Sequence, residues 1–225
     1  MSAATRGKIL ARVKSSSEAR SNDADETRNN ILEIAAREFA DKGLAGARID
    51  EIAEKTSSSK RMIYYYFGGK EELYRAVLER AYAQIRSREE DASAQLQELS
   101  AAQALQAQIE QTFDYHASNP DFVRLVMNEN IHHGEHIGDV PGLKERNRSV
   151  IAQLRVIIDK GVADGAFRND IDPVDLHMSI SALCFYNVSN RYTFNANFGV
   201  DMGAGKALKK RREQVSEIIL AWVKR

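Results

Sequence analysis

The chain has 225 residues, 43% hydrophobic and 28% charged, with 32 Lys+Arg against 32 Asp+Glu and a formal net charge of zero. That length suits one large domain or two small ones sharing a core, and the composition is that of an ordinary soluble globular protein rather than a disordered tail. Zero net charge excludes a chain that coats nucleic acid over its whole surface, while permitting a small reading module on a neutral or acidic body.

Only three prolines occur, so helix is expected nearly throughout. Cys184 is the sole cysteine; it rules out an intrachain disulfide and reads as a packed thiol in the apolar run Ile180–Phe185. No stretch approaches the ~20 apolar residues of a membrane span. The N-terminus lacks the apolar core of a signal peptide, so no membrane partner is expected and the cytoplasm is the default location.

Residues 1–24 are polar and serine-rich, with Arg6, Lys8, Arg12, Lys14 and Arg20 against Glu18 as the only acid before Asp23. They read as a flexible basic arm able to lie along DNA and add salt-dependent affinity. A helix is expected from about Asp25 to Lys42, with Ile31, Leu32, Ala35, Phe39 and Ala40 as its buried stripe. Ile49–Lys55 reads as a short amphipathic helix burying Ile49, Ile52 and Ala53. Thr56-Ser57-Ser58-Ser59 is a break rich in N-cap residues. Lys60–Phe67 forms a second short helix, Ile63 and Phe67 inward at a spacing of four, and Gly68-Gly69 stops it. Lys60, Arg61, Tyr64 and Tyr65 are left to project outward. Cations and phenols at the exposed start of a short helix suit phosphate and base-edge contact in a major groove.

From Thr27 to Tyr74 these signals fall in one register: T-R-x-x-I-L-x-x-A-A-x-x-F-x-x-K-G, then R-I-x-x-I-A, then S-K-x-x-I-Y-Y-Y-F-x-x-K-E-x-L-Y. The pattern resembles the DNA-binding domain of the TetR/AcrR family of bacterial transcriptional regulators, over about a fifth of the chain. Matching positions include Thr27, Ile31, Leu32, Ala35, Phe39, Gly43, Ile52, Ala53, Ser59, Tyr64, Phe67, Lys70, Glu71 and Leu73. The resemblance implies an all-α protein. An N-terminal three-helix helix-turn-helix domain (25–69) would be followed by a larger helical ligand-binding and dimerisation domain (70–225). Thr27, Arg48, Ser58, Ser59, Lys60, Arg61, Tyr64, Tyr65 and Lys70 are the expected DNA-binding set, with Lys70 on phosphate.

Two departures stand out. The family's alanine-glycine-apolar turn is Thr56-Ser57-Ser58 here. Serine tolerates the glycine position's positive φ less well, so the turn is expected to be looser, or Ser58 to bond backbone groups at the start of the second helix. Ala47 replaces a frequent threonine or serine cap for a helix beginning near Arg48.

Beyond Lys70 a long helix to about Glu90 carries Leu73, Tyr74, Val77, Leu78, Ala81, Tyr82 and Ile85. In the family such a helix links the reading head to the body. Helices are then expected over Gln103–Ser118, Asp121–His133, Leu143–Ala163, from Asp172-Pro173 to about Ala196, and over Lys206–Val223. Loops are expected over 132–142 and 195–205. Leu208, Val215, Ile218, Ile219 and Trp222 form one apolar stripe, and Leu176, Ile180, Leu183 and Asn187 a second. Two such helices from each of two chains make a four-helix interface, the usual dimerisation mode of the family. A helix-turn-helix monomer holds only one reading head, so a homodimer on double-stranded operator DNA is expected.

The resemblance also implies a small-molecule effector inside the body. Its candidate lining is Tyr82, Ile85, Phe113, His116, Met127, Asn130, Phe185, Tyr186, Asn187, Tyr192 and Phe194, a mix of aromatic, Met and amide groups suited to an apolar site with few polar contacts. The cluster Glu129, His132, His133, Glu135 and His136 offers an alternative. Glu129/His133 and His132/His136 are each four apart, a spacing that on a continuous helix suits zinc or nickel. That would make a metal-responsive regulator or a metal-dependent enzyme. Gly134 and Gly138 argue that the helix ends there, which breaks the geometry, so no metal or other cofactor is assigned. No nucleophile motif, phosphate loop or paired cysteines occur. The expectation is therefore a ligand-responsive, homodimeric transcriptional regulator that acts as a repressor, not an enzyme.

Overall fold

A computed structural model describes residues 3–96 and 98–225, with side chains described for 23–88, 98–145 and 147–225. The side chains of the basic arm expected over residues 1–24 fall, up to residue 22, outside the described residues. The described residues are helical, without a strand, apart from one isolated antiparallel bridge between Phe167 and Lys224. None of their helices is long and apolar enough to cross a membrane. The chain divides into two compact units, residues 1–77 and 78–225.

The first unit contains α1 (Ala3–Gly46), α2 (Ile49–Lys55), α3 (Lys60–Phe67) and the opening turns of α4 (Lys70–Leu96). Ile31, Ala35, Phe39, Ile52 and Ile63 are fully buried, the faces expected from helical spacing. Leu73 and Tyr74 of α4 are also buried, and the Tyr74 ring meets Phe39 edge-on at 5.0 Å. The start of α4 therefore completes the core of the head, and the division falls eight residues later than the 69/70 boundary read from sequence.

This core holds one acid. Glu38 is 3% exposed, and its carboxylate accepts from Lys55 of α2 at 2.5 Å and pairs with Lys42. Burial opposes its ionisation, but the hydrogen bonds from Lys42 and Lys55 outweigh burial and hold its pKa down at about 2. The pairing ties α1 to α2 beside the reading helix.

The second unit contains the rest of α4 with α5 (Ala101–Ser118), α6 (Pro120–Ile131), α7 (Leu143–Ala163), α8 (Pro173–Ser189), α9 (Arg191–Phe198) and α10 (Gly205–Val223). Local chemistry sets the starts. Ser100 and Gln103 form a reciprocal capping box at α5, Pro120 opens α6, and Asp172 accepts from the amides of Val174 and Asp175 ahead of α8. α5 lies at the centre, packed on α10, α8, α7 and α6. Leu105, Ile109, Phe113, Leu154, Leu176, Ile180, Val215 and Ile219 form one core cluster with Phe167 and Cys184.

Gly161 in α7 makes room for Phe167: a Cβ there would lie 2.1 Å from the ring. Burial pushes the Cys184 thiol up to about 12, consistent with its place in the packing.

The single helix expected from Pro173 to about Ala196 is two. α8 ends at Ser189 and α9 begins at Arg191, with Asn190 between them at φ −103°, ψ 4°. The Ser189 hydroxyl donates to the Asn190 side chain at 2.7 Å. Short polar side chains that satisfy one another off the helix compete with its ladder.

Candidate functional site

The turn between α2 and α3 is built as a Schellman motif. The Ser58 amide donates to Ala53 O at 3.1 Å and the Ser57 amide to Glu54 O at 3.3 Å, with Ser57 at φ 52°. Ser57 thus occupies the left-handed position where the resemblance places glycine. Thr56 is buried and its hydroxyl donates to Ile52 O and Ala53 O. The cap of α3 is Ser59, whose Oγ accepts from the Met62 amide at 3.2 Å; the role considered for Ser58 falls one residue later. The cap position of α2 is Arg48, without a side-chain cap, and Ala47 before it is buried. A threonine at Ala47 would therefore sit one residue outside the cap.

α3 buries Ile63 and Phe67 and leaves Tyr64 51% and Tyr65 78% exposed. Lys60 and Arg61 are exposed beside them. Gly68, at φ 88°, ends the helix. Several of the expected DNA-binding residues have partners within the head. Lys60 pairs with Asp50, and Arg48 lies 3.9 Å from the same carboxylate. Lys70 Nζ donates to Ala45 O at 3.3 Å, at the end of α1. The Thr27 hydroxyl donates to Asp23 O at 2.8 Å. The face therefore presents two tyrosines and Arg61, with Lys60 and Arg48 held around one acid.

The second unit contains a cavity of about 590 Å³ that opens to the surface. Of the residues expected to line it, Tyr82, Ile85, His116, Asn130 and Phe185 do. Phe113 is instead in the core cluster, and Met127 packs beside Tyr115 and Phe122. Asn187 is buried away from the lining, while Tyr186 and Tyr192 are exposed. The Phe194 ring packs at a tilt against Phe198, with centroids 4.6 Å apart. The sequence reading missed Arg86, Thr112, Phe122, His177, Met178 and Ser181. Arg86 and His177 had a signal, since each lies on the face of an aromatic residue already chosen: Arg86 four residues, one helical turn, after Tyr82, and His177 eight residues, two turns, before Phe185.

Rings crowd one wall of this cavity. His116 stacks on Phe122 at 5.8 Å with 17° between planes and meets Phe185 edge-on at 6.0 Å. Tyr82 meets Phe122 edge-on at 5.3 Å. Burial, reinforced by the charge of Arg86, lowers the His116 pKa to about 4; the same two causes lower that of His177. Burial pushes the Tyr82 phenol up to about 12. The His116 imidazole is therefore neutral at pH 7.

The apolar stripes chosen for dimerisation are corrected by burial. Leu176, Ile180, Val215 and Ile219 are at most 2% exposed and lie in the unit's own core, with Leu183 and Leu208 packed against them. They are the inward faces of α8 and α10. The outward faces carry Val174, Met178, Tyr186, Ile218 and Trp222. Only Ile218 and Trp222 belong to both sets.

The acid–histidine cluster is also redistributed. α6 ends at Ile131 and His133 lies at φ 59°, so neither spacing of four lies on a continuous helix. Glu129 is buried and its Oε2 accepts from the amides of His136 and Ile137 at 3.1 and 2.8 Å. It caps the short 3-10 turn Ile137–Asp139. Among the described residues no three His, Cys, Asp or Glu side chains converge as a metal site.

A family model described as bacterial regulatory proteins, tetR family, matches residues 31–77. A second, described as tetracyclin repressor-like, C-terminal domain, matches residues 102–219. The chain is 35% identical over 206 residues to the HTH-type transcriptional repressor NicS of Pseudomonas putida, covering 92% of this chain and 96% of that protein. It is 29% identical to the HTH-type transcriptional repressor SCO4008 of Streptomyces coelicolor, over 74% of this chain and 80% of that one. Among solved structures, FadR of Bacillus subtilis in complex with stearoyl-CoA aligns with a TM-score of 0.63 at 17% identity, over 86% of this chain and 98% of that chain. At that identity the likeness speaks for the fold alone.

Proposed function

The chain belongs to the tetR family of bacterial regulatory proteins and is a helix-turn-helix transcriptional regulator; from that premise we propose that it acts as a homodimeric repressor released from its operator by a small molecule. The observation that carries this reading is the pairing of an exposed recognition face on α3 with a ring-lined cavity in the second unit. The names of the relatives NicS and SCO4008 support repression.

Arg61, Tyr64 and Tyr65 reach bases and phosphates, and Lys60 and Arg48 exchange Asp50 for phosphate on binding. Dimerisation uses the outward faces of α8 and α10, through Val174, Tyr186, Ile218 and Trp222, because the inward faces are already covered. Operator binding needs two heads at half-site spacing, about 34–36 Å or a multiple of it. α4 carries Leu73 and Tyr74 in the first unit and Tyr82, Ile85 and Arg86 on the cavity wall in the second. An effector that prefers one setting of this helix shifts the dimer away from operator spacing in proportion to that preference.

The test is operator selection on the purified protein, followed by the triple variant Arg61→Ala, Tyr64→Ala, Tyr65→Ala and, separately, Val174→Glu with Ile218→Glu. The first is expected to lose the selected operator while remaining dimeric; the second is expected to sediment as a folded monomer with weakened operator binding. Wild-type affinity in the triple variant would refute the placement of the reading face. An unchanged dimer in the charge variant would refute the interface.

A further inference from the structure

The polar groups on the cavity wall differ in whether the chain itself satisfies them. The Thr112 hydroxyl donates to Gln108 O at 2.9 Å, and Asn130 Nδ2 to Val126 O at 2.8 Å. Arg86 Nε donates to Asn147 Oδ1 at 3.0 Å. His116 stands apart. It lines the same cavity, is 5% exposed, and its Nδ1 is enclosed without a hydrogen-bond partner among the described residues. Its contacts are with rings instead: the stack on Phe122 and the edge contact with Phe185 hold the imidazole in place. A polar side chain left this way in the interior is unfavourable and rare in native packing.

Burial keeps this imidazole neutral, so one ring nitrogen carries a proton and the other a lone pair. A hydrocarbon chain filling the cavity would leave both unmet. The Tyr82 phenol, also kept neutral by burial, lies on the same wall and adds a group that can donate or accept. The shape of the wall is a second, independent constraint. Tyr82 and His116 both touch the Phe122 ring, and Phe185 stands edge-on to His116. Rings fixed in this way offer faces and edges on which a flat ring packs well and a puckered one does not.

We propose that this cavity takes a flat heteroaromatic molecule carrying both a hydrogen-bond donor and an acceptor in the plane of its ring, one of them bonded to the His116 imidazole. The proposal rests on the effector reading above and narrows it to a chemical class.

The test is equilibrium dialysis of the full-length protein at pH 7.5 with four probes of one skeleton. 2-Quinolone donates and accepts in its plane, quinoline only accepts, naphthalene does neither, and octahydroquinolin-2-one keeps the lactam on a puckered frame. 2-Quinolone is expected to bind about tenfold or more tighter than naphthalene, with quinoline between them and the saturated lactam weaker than 2-quinolone. His116→Phe keeps a ring on Phe122 and removes both nitrogens. It is expected to bring 2-quinolone to the level of naphthalene without weakening naphthalene, which shows that the cavity is intact. His116→Gln, which restores a donor and an acceptor, is expected to recover part of the preference. Naphthalene binding as tightly as 2-quinolone, or a preference that survives His116→Phe, would overturn the hydrogen-bonding assignment and leave the effector reading standing. Equal binding of the saturated lactam would overturn the flat shape. No binding by any of the four would overturn the proposal and count equally against the effector reading.

Discussion

Ser57→Gly is expected to stabilise the reading head. Ser57 is exposed and sits at φ 52°, in the left-handed position of the turn that joins α2 to α3. A side chain there costs about 1–2 kcal/mol because Cβ crowds the following carbonyl. Glycine removes that cost but adds about 0.4–1 kcal/mol of unfolded-chain entropy. The difference is a net gain of roughly 0.5–1 kcal/mol. For a chain of this size, 1 kcal/mol corresponds to about 2–4 °C in Tm. Neither turn hydrogen bond involves the Ser57 side chain, since both donors are backbone amides. The assay is hydrogen exchange of the Ser57 and Ser58 amides, which reports the head separately from the second unit, together with a thermal melt. Slower exchange and a melt raised by about 1–3 °C are expected, and Ser57→Val is expected to move both in the opposite direction. If glycine exchanges faster than serine, or valine matches the wild type, the turn does not hold the left-handed conformation.

Gly161→Ala places a methyl 2.1 Å from the Phe167 ring and is expected to lose about 1–3 kcal/mol by overpacking, read from the midpoint of urea unfolding; Phe167→Leu in the same chain should recover part of it. The depressed pKa of Glu38 contributes stability that is fully present above its ordinary value of 4.5 and is lost as pH falls toward about 2. An acid titration of the wild type against Glu38→Gln should show the two chains' stabilities converging across that window. The Cys184 thiol, 1% exposed and pushed up to about 12, is expected to resist iodoacetamide at pH 8 in the folded protein and to react promptly in 6 M guanidinium. Prompt reaction in the native protein would contradict its place in the core.

The helix-turn-helix was legible in the chain because its determinants are local. Ile63 and Phe67 at a spacing of four set the inward face of α3, which leaves Lys60, Arg61, Tyr64 and Tyr65 outside whatever the rest of the protein does. Ser59 and Gly68 bound the helix through bonds and dihedrals within a few residues of themselves. The family resemblance rests on that same local register. Glu38 was not legible, because an isolated acid on a helix reads as solvated; only the approach of Lys42 and Lys55 makes it a buried link. The stripes on α8 and α10 show the general limit. Periodicity identified Leu176, Ile180, Val215 and Ile219 as an apolar face, but hydrophobicity has no direction, and the stripe looks the same whether its own chain or a partner covers it. Packing on α5 settled the matter in favour of the chain's own core. The cavity follows the same logic. Phe113 and His116 are one helical turn apart on α5, yet one fills the core and the other faces the empty space. That difference depends on where α6 and α8 leave a gap, a property of the assembled helices and not of any one of them.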